Sequence, residues 1–476
     1  MRPIETEIVV LGGGVGGYSA AFYAADKGKK VVLVEQDDRL GGVCMNRGCI
    51  PSKALLHATK LLKEADESVA RGIRFGKPTI NLDEMRAWKE SIVQKLADGL
   101  TGLAKNRKVE VIHGRGYFED STTLRVETSD GQKFVHYNKA IVAVGSKPAL
   151  PKAFDLGNKR IMTSDEALEI EEIPANLLVV GGGYIGMELG TVYAILGSKI
   201  TMVEALDSLL LGADADLVRP VKRRAENLFA EIRLSTKVAK MATSGKHIKV
   251  TMDVKGREKE ELFDRVLVSV GRAPLTNDLG LENTKVRKND NGFIVVNPQQ
   301  QTDDPSIYAV GDVVGGALLA HKAAREARIA IDVISGEMKA FDSIIVPAVV
   351  FTDPEVAWCG ITEAEAKERE LPVEIVRFPW SASGRALSFD RTDGMTKLVI
   401  DPVTERVLGV GIVGAGAGDL ISEGVLAIEM GATAEDLAES IHPHPTLSET
   451  VMEAAEAFYG YSTHIYAPKK REAVEE

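Results

Sequence analysis

The 476-residue chain has only three cysteines, Cys44, Cys49 and Cys359. So few cannot build the disulfide framework of a secreted domain, so any sulfur chemistry must be local, and the chain reads as resident in a reducing compartment, the cytoplasm. Basic residues are not in excess: 58 Lys plus Arg stand against 69 Asp plus Glu, a net charge of −11, which argues against a nucleic-acid partner. No apolar run approaches the ~18 residues of a membrane span, and the longest, IIVPAVVF at 344–351, is interrupted by Pro347; membrane insertion is not expected. The opening residues, MRPIETEIVVLGGG, enter a strand pattern at once and leave no room for a signal or transit peptide. With 45% hydrophobic and 27% charged residues the composition is that of a globular enzyme, and the length predicts about three domains.

Glycine is what the chain has in plenty, 45 residues with two dense runs. IVVL at 8–11 reads as a buried strand, followed by the turn Gly12-Gly13-Gly14-Val15-Gly16-Gly17, an alanine-rich helix to Gly28, and the strand VVLVE ending at Glu35. LLVV at 177–180 starts the same series: the turn from Gly181 through Gly183 to Gly186, a helix to Gly197, and ITMVE ending at Glu204. The offsets coincide, Gly28 and Gly197 each lying 16 residues after the first glycine of their turn, and Glu35 and Glu204 each 23. One such turn is weak testimony, because glycines also serve as packing turns; two units in register predict two dinucleotide-binding lobes. AIVAVGSKP (140–148) and VLVSVGRAP (266–274) echo each other as strands running into Gly-x-x-Pro, expected to end pairing and close the two lobes. Residues 302–334 predict a strand ending at Gly311-Asp312 and then a helix, and beyond about 345 the pattern changes to a separate domain without phosphate loops. The charged last eleven residues, YAPKKREAVEE, read as frayed.

A strand-turn-helix with these glycines lets a pyrophosphate approach backbone amides at the positive end of the helix. An acidic residue closing the second strand accepts ribose hydroxyls, so Glu35 and Glu204 each predict an unphosphorylated ribose. Like-charge repulsion at Glu204, with no arginine in EALDSLL to offset it, favours NAD over NADP. Two dinucleotides that exchange electrons imply a flavin beside a nicotinamide. Cys44 and Cys49, five apart in GGVCMNRGCIPSK, would lie roughly 8 to 9 Å apart in an unbroken helix, whereas a disulfide needs Cα atoms within about 7 Å. A bridge therefore requires a distorted turn, which Gly48 makes inexpensive. Two structural thiols, or two ligands of an incomplete metal site, are the alternatives these residues leave open. Cys359, with no partner in sequence, reads as a small buried hydrophobe.

GGVCMNRGCIPSK after an amino-terminal GxGxxG resembles the redox-active disulfide segment of the pyridine nucleotide-disulfide oxidoreductases, and the resemblance runs end to end through GGGYIGMELG, YAVGD, VVFTDPEVAWCG and HPHPTLSE. It implies an α/β fold: two Rossmann-like domains, for FAD at 1–148 and NAD at 149–274, a central domain at 275–345 completing the FAD site, and an α+β interface domain at 346–476 that makes a homodimer. The implied cofactors are FAD and NAD, with no metal. The implied reaction is oxidation of dihydrolipoamide, presented on lipoyl domains of partner subunits in a 2-oxo acid dehydrogenase complex or the glycine cleavage system. Relatives that reduce other disulfides with NAD(P)H are the rival within the fold, and a non-catalytic nucleotide sensor or scaffold the rival outside it.

The resemblance also assigns roles. Cys44 is implied to be the cysteine that exchanges with substrate and Cys49 the one whose thiolate meets the flavin. Lys53, by default a solvated helix residue, would lie at the flavin edge and pair with Glu188. Gly12, Gly14, Gly17, Glu35, Gly42, Gly116, Gly145, Asp312 and Ala320 would contact FAD, with Asp312 on the ribityl chain. Gly181, Gly183, Gly186, Glu204, Val238 and Gly271 would contact NAD. His444, by default a turn residue between prolines, becomes the catalytic base, oriented by Glu449, while His442 is structural. Two departures from the family pattern, Val15 at a position often proline and HPHP for HAHP, remove no reacting group. The basic run Arg219, Lys222, Arg223 and Arg224 reads as a solvated helix face rather than a docking patch.

Overall fold

The computed structural model describes residues 2–342 and 345–466; most of the charged tail lies outside them. The chain divides into two compact units, each assembled from separated segments: residues 1–155, 162–172 and 269–342 in the first, and 156–161, 173–268 and 343–476 in the second.

In the first unit, runs such as VVLVE are buried at every position, as strands covered on both faces must be. Parallel pairing gives the order Glu110–His113, Val31–Glu35, Ile4–Leu11, Gly131–Val142, Ile307–Ala309. Alternate residues enter opposite layers: Ile8, Val10, Leu33 and Ile141 pack with the helices Val15–Asp26 and Ala320–Ile334, while Val9, Leu11, Val34 and Val142 pack on the other face with Phe118, Leu124 and Leu281. The first half of Gly131–Val142 also leads an antiparallel meander through Thr123–Thr128 and Arg115–Phe118.

The second unit repeats the design. Its parallel strands run Glu231–Arg233, Lys199–Val203, Asn176–Val180, Arg265–Val268, and an antiparallel sheet of Thr236–Ser244, His247–Val254 and Arg257–Phe263 follows in sequence. The same unit holds a five-stranded antiparallel sheet in the order Ala348–Val350, Glu355–Gly360, Val407–Gly414, Met395–Ile400, Glu374–Pro379. Trp380, just after the edge strand Glu374–Pro379, is wholly buried in the core beside this sheet and donates Nε1–H to Thr396 Oγ1 at 3.0 Å. Cys359 is buried in that core, as its sequence context predicts, and burial pushes its thiol up to about 12.

One expectation needs correction. The Gly-x-x-Pro echoes do end the parallel pairing, yet they do not end all pairing: Ser146–Pro148 and Arg272–Pro274 form a short antiparallel ladder with each other. Proline is tolerated there because the ladder is two strands wide and leaves an edge where no N–H is needed.

The tightest contact in the first lobe lies between Gly12 and Gly17. A Cβ on Gly17 would fall 1.7 Å from the Gly12 carbonyl oxygen, whereas Gly28 has no atom within 4 Å of its Cβ direction and carries φ +78°. Gly17→Ala should therefore cost about 3 kcal/mol by overpacking and lower the melting temperature measurably, while Gly28→Ala should cost only about 1 kcal/mol of backbone strain.

Candidate active site

The two phosphate turns are built alike to within a few degrees. Gly12 and Gly181 adopt φ +104° and +108°, and the residues that start the two helices, Gly14 and Gly183, sit at φ −71°, ψ −175° and φ −74°, ψ −179° with no side chain capping either helix. The glycines divide by purpose. Gly12 and Gly17 are required by backbone-on-backbone contact, whereas a Cβ on Gly14 would meet only the Gly42 Cα, at 3.8 Å, and one on Gly183 nothing within 4 Å. That open space in front of uncapped helix amides is where a pyrophosphate fits.

The acidic residues complete each turn in the same way. The Gly13 N–H donates to Glu35 Oε2 at 2.6 Å and the Asp37 N–H to Oε1 at 2.9 Å. In the second lobe the Gly182 N–H donates to Glu204 Oε2 at 2.6 Å and the Leu206 N–H to Oε1 at 2.8 Å. Each oxygen keeps a second lone pair for a ribose hydroxyl. Burial raises the Glu35 carboxyl above its usual range, opposed by these amide bonds. Both lobes thus fit an adenosine dinucleotide.

The cysteine segment shows the distortion that the spacing demanded. Helix Gly42–Arg47 stops, and helix Cys49–Glu67 starts anew beyond Gly48. A Cβ on Gly48 would lie 2.9 Å from the Val43 carbonyl oxygen, so the break needs glycine there. Cys44 and Cys49 stand as thiols, Cys44 half-buried and Cys49 exposed. The Cys44 thiol is pushed up by its hydrogen bond with Cys49 and by burial, and the positive charge of Lys53 acts the other way. Asn46, between the cysteines, keeps a buried Oδ1 with no hydrogen-bond partner among the described residues, an acceptor available to a ligand.

Asp312 follows the strand Ile307–Ala309 in the turn Gly311–Val314. Its Oδ2 accepts a short hydrogen bond from Ser146 Oγ, and Arg272 donates to Ser146 Oγ at 2.7 Å and to the Ser146 carbonyl at 2.8 Å. The Asp312 turn is pinned by a buried ion pair: Lys322 Nζ meets Glu326 Oε1 at 2.6 Å, Glu326 Oε2 accepts the Gly311 N–H at 2.7 Å, and Lys322 donates to the Gly315 carbonyl at 3.0 Å. Sequence reasoning missed Ser146, Arg272, Lys322 and Glu326. The signal was present: Ser146 and Arg272 occupy the same place in the two Gly-x-x-Pro echoes, and Lys322 and Glu326 are an i, i+4 pair on an apolar helix face.

Among the remaining flavin candidates, Gly116 is buried in Arg115–Phe118, where a Cβ would strike Leu11 Cδ1 at 2.4 Å. Gly145 (φ +76°) faces open space and Ala320 begins its helix. Of the NAD candidates, Gly186 is buried in helix Tyr184–Leu196, and Val238 marks a bulge in Thr236–Ser244. Gly271 (φ +128°) lies in the first unit, its carbonyl accepting the Ala149 N–H at 2.9 Å. Lys53 belongs to the first unit and Glu188 to the second, where Glu188 is buried and Oε1 accepts the Phe351 N–H at 3.0 Å.

The second unit also separates the two histidines. His442 places Nδ1 2.8 Å from the Ser440 carbonyl and Nε2 2.7 Å from Glu423 Oε1, so both ring nitrogens are engaged. His444 is 72% exposed and among the described residues engages only through Nδ1, 2.8 Å from Glu449 Oε1, while Glu449 Oε2 accepts the Thr446 N–H at 2.7 Å. A carboxylate at Nδ1 keeps the proton there and turns Nε2 outward as a base. Of the basic run, Arg224 is a tie rather than a solvated cation, 2.8 Å from Asp353.

Twin dinucleotide turns, a dithiol at a helix break and a carboxylate-oriented histidine define a flavin-linked disulfide oxidoreductase, and the chain belongs to the pyridine nucleotide-disulphide oxidoreductase family. The family profile matches residues 6–327, and that of its dimerisation domain residues 346–455. The chain is 45% identical to a dihydrolipoyl dehydrogenase of Vibrio cholerae over 465 residues, 98% of each chain. It is also 45% identical to that of Haemophilus influenzae, covering 99% of each. Among solved structures it resembles LpdA from Mycobacterium tuberculosis, with TM-score 0.87, 29% identity, and coverage of 95% of this chain and 99% of that one. It is also similar to the Cu(II) complex of the HOCl-induced flavoprotein disulfide reductase RclA of Escherichia coli, with TM-score 0.86, 27% identity, and coverage of 96% and 99%.

The histidine geometry sets a test. His444→Gln should lower kcat by about a hundredfold or more, with the loss reproduced by Glu449→Ala to a smaller degree, whereas His442→Gln should act mainly on thermal stability. Steady-state kinetics beside melting curves separates the two.

Proposed function

We propose that this chain oxidises protein-bound dihydrolipoyl groups to lipoyl groups, with NAD⁺ as the final acceptor, through FAD and the Cys44–Cys49 pair. The observation that carries this reading is the dithiol held at the Gly48 break beside the first dinucleotide turn, in a chain that shares its full length with dihydrolipoyl dehydrogenases.

In the working cycle the oxidised enzyme holds Cys44 and Cys49 as a disulfide. His444 Nε2 takes a proton from one substrate thiol, because the thiolate is the nucleophile. That thiolate attacks Cys44 Sγ; a substrate–Cys44 bond forms, the Cys44–Cys49 bond breaks, and Cys49 leaves as a thiolate. The second substrate thiol then attacks the substrate sulfur bonded to Cys44, closing the lipoyl ring; its proton passes to the departing Cys44 sulfur, which ends as a thiol, while the first proton stays on His444. Lys53 supports negative charge on these sulfurs. FAD would supply a two-electron acceptor for the cysteines and a hydride donor for NAD⁺. Gly12, Gly14, Gly17, Glu35, Gly42, Gly145 and Asp312 would hold it, and Gly181, Gly183, Gly186 and Glu204 would hold NAD. His444 serves the disulfide of the other subunit of a homodimer. Its surroundings support a covering partner: Leu426, Met430 and Ile441 are 63%, 76% and 98% exposed on the same unit. No helix among the described residues is long and apolar enough to cross a membrane, and a cytoplasmic 2-oxo acid dehydrogenase complex or glycine cleavage system is the proposed setting.

Anaerobic dihydrolipoamide should turn the yellow holoenzyme red through a charge-transfer band, and NAD⁺ should restore the yellow form. Cys49→Ser should abolish the band; its persistence would reverse the roles of the two cysteines. Fixed by two amides, Glu204 repels a 2′-phosphate, so NADP⁺ should support little turnover, and Glu204→Ala should narrow the NAD⁺/NADP⁺ ratio of kcat/KM by about tenfold. Wild-type turnover with NADP⁺ equal to that with NAD⁺ would refute the repulsion argument and favour the rival within the fold, a relative that reduces another disulfide with NADPH.

A further inference from the structure

Within the second unit, irregular chain from Glu204 to Asp214 joins the strand Lys199–Val203 to the helix Ala215–Leu228. Its head is the ribose carboxylate, bonded to Gly182. Its middle is locked to the same turn: the Leu210 N–H donates to the Gly182 carbonyl at 3.0 Å, and the buried Leu209 side chain fills the space that a Cβ on Gly182 would take, 2.5 Å away.

The tail of the segment is held by charge. Asp214 is buried and accepts the Glu363 and Ala364 N–H groups, each at 3.0 Å, and Lys397 Nζ at 2.6 Å. Lys397 lies on Met395–Ile400 with its side chain 1% exposed, and also donates to Asp216 at 2.7 Å and Glu363 at 3.4 Å. Arg377 reaches Asp216 at 2.8 Å and Glu363 by a short contact. Burial raises the Asp216 carboxyl, yet Lys397 and Arg377 outweigh burial and hold it below its usual range. Asp214, Asp216 and Glu363 are close enough to share a cation, and the Lys397 ammonium is that cation. The helix that follows packs Leu217 against the backbone of Gly411, where a Cβ would meet it at 2.7 Å.

We propose that Lys397 is a positioning residue for the nicotinamide dinucleotide: by fixing Asp214 and Asp216 it anchors the far end of the 204–214 segment, whose head, Glu204, meets the adenosine ribose. The inference rests on the reading of the second lobe as the NAD site. Lys397 touches no ligand. Removing its charge leaves the buried Asp214 carboxylate without its cation, since Arg377 reaches only Asp216 and Glu363, and Asp214 moves away by releasing the segment end.

NADH binding to the FAD-loaded enzyme, followed by NADH fluorescence, tests this. Lys397→Met should weaken Kd by about tenfold and raise the NAD⁺ KM with little change in kcat, while Lys397→Arg recovers most of the affinity. Anaerobic reduction by dihydrolipoamide, which needs no NAD, should stay within about twofold of wild type. If Lys397→Met yields no soluble protein, Asp216→Asn should show the same split, with about a fivefold loss. Wild-type Kd in a soluble variant, or equal losses in NADH binding and in the dihydrolipoamide half-reaction, overturns the proposal. Should dihydrolipoamide fail to reduce even the wild type, the substrate reading falls, and the NADH titration still decides the role of Lys397.

Discussion

Each dinucleotide lobe turns on one carboxylate that reaches from the end of its second strand to an amide in the turn after its first. The bond spans 22 residues in both lobes, Glu35 to Gly13 and Glu204 to Gly182. It fixes where strand, helix and strand must end relative to one another, which is why the two halves of the chain share their offsets although their helices differ in sequence. In the first lobe, where Glu35 is buried, backbone amides also replace the water that the carboxyl lost.

The parts of the fold that repeat were legible because two independent stretches obeyed one spacing. Glu35, Glu204 and the glycines could be located that way, and so could the need for a break at Gly48, since an unbroken helix carries Cys44 and Cys49 apart. What the sequence hid were relations across distance. Nothing local to Ser146 or Arg272 says that their short strands pair with each other, and nothing near Lys397 says that its partners lie some 180 residues earlier, at Asp214 and Asp216. In HPHP only the family resemblance tells His442 from His444; the structure adds that the Ser440 carbonyl and Glu423, on the helix Ala417–Met430, engage both nitrogens of the first.

Buried charge holds two loops still: Lys322 with Glu326 fixes the Asp312 turn, and Lys397 fixes the end of the ribose segment. Buried ion pairs add little net stability over apolar packing. Their gain here is geometric, because a charged donor with several acceptors accepts one arrangement of its neighbours and an apolar side chain accepts many.

The segmented first unit bears on biosynthesis. Tyr308, Val310, Ala327 and Ile331 belong to the same core layer as Val10 and Leu33, and the strand Ile307–Ala309 completes the sheet that Ile4–Leu11 begins. A nascent chain leaving the ribosome carries the first phosphate turn early, yet the layer beneath that turn stays open to water until the helix Ala320–Ile334 emerges. Closure of the first nucleotide lobe is therefore a late event in synthesis, and the second lobe is already outside the ribosome before it.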